Sequence, residues 1–211
     1  MKVNTIPGLV TLVLSIVASA LLLSSCSQAK LPELQPEDVV VAFGDSLTAG
    51  YGVDKTQSYP SVLANITGLK VINAGISGET TAEGLERLPE ILETHQPKLV
   101  ILLEGGNDVL QKVSEPQIKS NLKQMIQLIQ QSGAAVLLVG VPEKKLFGSS
   151  LELYSELASE HEIPIEGDIV ASLMKRLSMK SDYVHFNALG YQAMAQALYE
   201  ALQTSGAIID N

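Results

Sequence analysis

Residues 39–47 read VVVAFGDSL. Val39 to Phe43 are five apolar residues in a row, closed by Gly44. Such a run reads as a strand buried on both faces, the kind found in parallel sheets. Three more runs have this character, at Lys70–Ala74, Leu99–Leu103 and Ala135–Val139, with a weaker one at Ile163–Ile165.

Helical patterns lie between the runs. Pro60 suits the first turn of a helix reaching about Ile66. Thr81–Leu92 is helical in pattern but contains Pro89, which predicts two short helices. Ile118, Leu122, Met125 and Ile129 share one face of a helix over about Pro116–Gln131, and Leu151, Tyr154, Leu157 and Ala158 mark another. Asn187 is placed to cap the last helix, whose Met194, Ala195, Leu198 and Leu202 face inward. This alternation predicts an α/β sandwich with right-handed crossovers. In such folds, active residues gather just after the carboxyl ends of the strands.

The 211 residues suffice for one domain. All 23 acidic residues lie beyond the first 29 residues, where Lys2 is the sole charge. With 13 basic residues beyond residue 29, the balance there is 13 − 23 = −10, which excludes nucleic acid as a partner. Cys26 is the single cysteine, so no disulfide framework exists.

Lys2, an apolar stretch from Leu9 to Leu23 and then Leu23-Ser24-Ser25-Cys26 have the layout of a bacterial secretory signal, too short for a membrane-spanning helix. The last four residues resemble the lipobox of bacterial lipoproteins. That resemblance implies cleavage after residue 25, lipidation of Cys26 and an envelope location, facing the periplasm from the outer membrane in a Gram-negative host. Residues 1–25 are then a signal peptide, 26–37 a lipidated tether and 38–211 the folded domain. The competing reading is an ordinary signal or uncleaved anchor with an idle thiol.

The residues after the strands carry the chemistry. They are Gly44-Asp45-Ser46-Leu47, Ala74-Gly75-Ile76-Ser77-Gly78 and Glu104-Gly105-Gly106-Asn107-Asp108, joined late in the chain by Asp182-Tyr183-Val184-His185. A serine hydroxyl is a weak nucleophile and needs a base, for which histidine suits neutral pH. The histidine needs an acceptor on its other nitrogen, and Asp182 stands three residues before His185. A tetrahedral oxyanion needs fixed donors, available in the N–H groups of Ser46 and Gly75 and the amide of Asn107. Gly75, lacking a Cβ, leaves room for a carbonyl to approach.

Together these blocks resemble the GDSL esterases, or SGNH hydrolases. The longer stretches FGDSLTAGYG, VINAGISGETTAEGLERLP, GGNDVLQK and DYVHFNALGYQAMA are similar to the bacterial lysophospholipase, arylesterase and acyl-thioesterase branch. The resemblance spans nearly all of residues 39–203. It implies a flavodoxin-like three-layer α/β/α sandwich with about five parallel strands in the order 2-1-3-4-5. It also implies Ser46 as nucleophile, His185 as base, Asp182 as its partner, and Ser46, Gly75 and Asn107 as the oxyanion hole. No cofactor and no metal are called for, and a monomer is expected. Phe186 stands where the family often has proline, and Glu104 where an apolar neighbour is usual.

The G-x-S-x-G elbow fails at Thr48, and the Gly50/Gly52 pair lies too far past the strand for a dinucleotide fingerprint. A competing reading has Asp45, Asp108, Asp182 and His185 gather a metal, although His95 and His161 lie in helix-end contexts. A carbohydrate O-deacetylase on the same fold, or a non-catalytic lipid- or glycan-binding lipoprotein, stands as the alternative. The segment from Glu143 to Ser150 is expected to border the acyl pocket.

Overall fold

The computed structural model describes residues 29–142 and 150–209. The leader, Cys26 and all of the 143–150 segment except Ser150 lie outside the described residues. Five strands form one parallel sheet: β1 (Val39–Gly44), β2 (Lys70–Gly75), β3 (Leu99–Leu103), β4 (Ala135–Val139) and β5 (Ile165–Glu166), in the order β2-β1-β3-β4-β5. All five residues of β3 and all but the first of β1 are buried, as continuous apolar runs require in a sheet covered on both sides.

The helices are α1 (Ser46–Ala49), α2 (Tyr59–Thr67), α3 (Thr81–His95), α4 (Gly106–Gln111), α5 (Glu115–Gln131), α6 (Glu152–Glu160), α7 (Ile169–Met174) and α8 (Ala188–Thr204). One set packs together as α3, α5 and α6, the other as α2, α7 and α8, with the sheet between them. The strand order and three-layer architecture agree with the fold read from the sequence.

One helix departs from expectation. Pro89 does not divide α3, which runs unbroken from Thr81 to His95. A proline inside a helix removes one hydrogen bond and costs about 3 kcal/mol. Leu88 and Leu92 are buried on either side of it, and Thr80 and Glu83 close a reciprocal capping box at the helix start. Burial and capping together outweigh the local propensity.

The expected tether is also shorter than residues 26–37. Leu31 and Leu34 are buried, and their N–H groups donate to the carbonyls of Ser205 (2.9 Å) and Ala207 (2.8 Å), just past the foot of α8. Two leucines with that much apolar surface pack rather than remain in water. Residues 31–34 therefore belong to the domain.

The register sets up the site. Gly44, at the end of β1, lies beside Gly75 of β2 and Leu103 of β3, so the three loops that follow emerge side by side.

Candidate active site

Ser46 is the first residue of α1, one step past the turn at Asp45. The Asp45 carboxylate accepts the N–H of Leu47 at 2.9 Å and fixes that turn. Burial pushes Asp45 up to about 6, opposed by its hydrogen bond from Leu47 and by His185. Ser46 Oγ lies 3.0 Å from His185 Nε2, although the two residues are far apart in sequence. His185 Nδ1 in turn lies 2.7 Å from Asp182 Oδ2.

The Asp182–His185 turn is held by its own backbone. Asp182 Oδ1 accepts the N–H groups of Val184 (2.9 Å) and His185 (2.8 Å). Slight burial raises this carboxyl, but the His185 ring and the two N–H donors outweigh it and hold it at about 2. It is therefore ionised wherever the histidine works. The ring of Tyr51 stands 4.3 Å from that of His185 and restricts it from one side.

Asn107 lies in the first turn of α4 and lines the cavity beside Ser46. One of its amide hydrogens is taken by the carbonyl of Glu79 at 2.8 Å, which leaves the second for another acceptor. Asp108 is occupied otherwise, accepting the N–H (2.8 Å) and hydroxyl (2.6 Å) of Thr81. His95 ends α3 and His161 caps the end of α6, both far from Ser46 along their helices. Among the described residues, no group of three or more His, Cys, Asp or Glu side chains is gathered as metal ligands.

Gly75 is not placed as the sequence suggested. Its N–H donates to Asn73 Oδ1 at 3.0 Å, and it does not line the cavity. Its missing Cβ serves packing, because a Cβ there would lie 2.2 Å from the backbone nitrogen of Ala49 in α1. The loop residues that reach the cavity are Ser77 and Gly78. Gly78 has φ +87°, a conformation glycine adopts without cost, and its N–H meets no acceptor among the described residues.

A cavity of about 460 Å³ opens beside Ser46 and His185, walled mainly by Leu47, Leu110, Val141, Pro142, Ala171 and Met174. Its size falls in the range of small-molecule sites, roughly 300–1,000 Å³. Pro142, the residue before the segment expected to border an acyl pocket, takes part in this wall. The pairing of Arg87 with Glu79 beneath the Ser77–Glu79 loop was not anticipated from the sequence.

Comparison with known proteins shows the family. Residues 42–193 match the GDSL-like lipase/acylhydrolase family. An arylesterase of Vibrio mimicus is 36% identical over 141 residues, which cover 62% of this chain and 70% of that protein. An Escherichia coli protein described as a thioesterase, protease and lysophospholipase is 31% identical over 174 residues, covering 79% of this chain and 84% of the relative. The crystal structure of TesA superposes with a TM-score of 0.72 at 26% identity, covering 79% of this chain and 99% of that one. The chain belongs to the GDSL-like lipase/acylhydrolase family and is a hydrolase of ester bonds.

Proposed function

We propose that the protein cleaves carboxylic esters or thioesters of short to medium acyl chains, lysophospholipids among them, through an acyl-enzyme on Ser46. The observation that carries this reading is the hydrogen-bonded series Ser46–His185–Asp182 at 3.0 and 2.7 Å, opening on an apolar cavity. His185 Nε2 takes the hydroxyl proton as Ser46 Oγ bonds to the carbonyl carbon. The tetrahedral oxyanion is held by the N–H of Ser46, the free amide hydrogen of Asn107 and the N–H of Gly78, which takes the role first assigned to Gly75. His185 passes its proton to the departing oxygen or sulfur as that bond breaks. Water then attacks the acyl-enzyme, loses its proton to His185, and the proton returns to Ser46 Oγ.

The cavity favours an acyl chain over the acetyl group of a carbohydrate deacetylase, because its walls are aliphatic and its volume exceeds what acetyl needs. No cofactor enters this scheme. The leader points to a lipoprotein held at the envelope through Cys26, which brings lipid esters within reach.

A panel of aryl esters from acetyl to palmitoyl, with lysophosphatidylcholine and an acetylated glycan, tests the reading. Ser46→Ala is expected to abolish hydrolysis, and medium acyl chains to be preferred. Equal activity in both proteins, or inactivity of both across the panel, would remove it.

A further inference from the structure

Glu104 directly follows β3, and its side chain is wholly buried. No N–H or hydroxyl donor reaches either of its carboxyl oxygens. A carboxylate without donors in such a place is costly, and the group retains its proton instead. Asp45 and Glu79 are its acidic neighbours, and Arg87 is the cation that acts on it. The buried phenols of Tyr59 and Tyr154 lie within its field, and the Tyr154 hydroxyl donates to its main-chain carbonyl at 2.7 Å. Burial first, then the charges of Asp45 and Glu79, hold the carboxyl well above the usual range.

Arg87 relieves this only in small part. Its Nε and Nη2 bind the two oxygens of Glu79 at 2.5 Å each, and Nη2 also donates to the Ala74 carbonyl at 2.8 Å. The guanidinium lies 3.9 Å over the ring of Phe43. Glu79 thus absorbs the charge of Arg87, and Glu104 remains a protonated carboxyl beside acceptors.

We propose that the Glu104 carboxyl donates a hydrogen bond to the carboxylate of Glu79 and thereby acts as a positioning residue for the oxyanion donors. Glu79 is the connection. Its side chain is pinned by Arg87 on one side and Glu104 on the other, its carbonyl holds the Asn107 amide at 2.8 Å, and Gly78 precedes it in the chain. The inference rests on Asn107 and Gly78 serving the oxyanion. It gives a role to the glutamate that stands where an apolar neighbour is usual. When Glu104 loses its proton as the pH rises, two carboxylates face one guanidinium, and repulsion shifts Glu79 together with the amide it holds. Because the oxyanion exists only in the transition state, kcat falls while KM is little changed.

The test is steady-state aryl-ester kinetics against pH for the full chain, Glu104→Gln and Glu104→Leu, with infrared difference spectra. The wild type shows an alkaline fall in kcat. Glu104→Gln keeps a donor but cannot titrate, so it stays within about threefold of wild type at neutral pH and loses the alkaline fall. Glu104→Leu has no donor and loses about tenfold in kcat at every pH with KM unchanged. A Gln variant that retains the alkaline fall, or a Leu variant with wild-type kcat, overturns the proposal. If the Leu variant does not fold, the Gln profile decides.

On the plateau of the wild-type kcat profile, below its alkaline fall, the difference between wild type and Glu104→Gln contains the C=O stretch of a protonated carboxyl. Its absence overturns the proposal independently of activity. A wild type that neither hydrolyses esters nor reacts with a fluorophosphonate at Ser46 removes the catalytic reading instead, and the infrared band still decides the state of Glu104.

Discussion

Asn107 gives one amide hydrogen to the Glu79 carbonyl and keeps the other for the proposed oxyanion, so truncating it removes both contacts. Asn107→Ala is expected to lower kcat by about 100- to 1000-fold with little change in KM. A loss below about tenfold would take Asn107 out of the oxyanion site. Asp182 makes a different prediction. Its carboxyl is held at about 2 against an ordinary 3.8. Its native interactions therefore add stability above about pH 4, and that contribution fades as pH falls toward about 2. Urea midpoints of wild type and Asp182→Asn are expected to converge across that window, and curves that stay parallel through it contradict the assignment. Asp45, raised to about 6, acts in the opposite sense, its contribution fading as pH climbs from 3.8 to about 6. That Ser46, His185, Asp182 and Asn107 come together beside one cavity was legible because each combines a demanding side-chain chemistry with a position after a strand or before the last helix. The choice between Gly75 and Gly78 was not. Gly75 ends β2 and Gly78 stands three residues on in the loop, and which N–H meets the cavity depends on the Asn73 side chain and on the positive φ of Gly78.

Among the elements, the long buried strands were readable almost to the residue, because burial on both faces leaves an uninterrupted apolar run. The short helices α1, α4 and α7 were not, since four to six residues show too little of a 3.6-residue period. Pro89 misled for a related reason: the forces that override it, burial of Leu88 and Leu92 against the sheet, come from outside the helix. The capping box at Thr80 is the counterpart that keeps α3 whole. Thr80→Ala removes the side-chain oxygen that accepts the N–H of Glu83 and is expected to cost about 1 kcal/mol. For a domain of this size, that lowers the melting temperature by about 2–4 °C, read by circular dichroism. An unchanged melting temperature would mean that the proline-containing helix does not depend on its cap.

Over the whole molecule, strand alternation alone pointed to the architecture, while the edge of the folded unit escaped notice. Residues 27–37, with two prolines and little periodicity, read as linker, yet Leu31 and Leu34 are structural. Their partners are carbonyls at the far end of the chain, and no local pattern announces such a pairing. Replacing both leucines by serine is expected to lower the denaturant midpoint while leaving kcat/KM of the folded protein unchanged. A midpoint equal to wild type would show that the segment merely lies on the surface. This strap also orients the molecule. His185 lies just before the first turn of α8 and Leu31 is fastened beyond its last, so the helix, about 25 Å long, separates the two. The described chain ahead of Leu31 therefore leaves from the pole away from the mouth, and a support joined there is expected to lie on that side. An immobilised enzyme would keep its entrance open, and a molecule bound for Ser46 would arrive from the side facing away from the support.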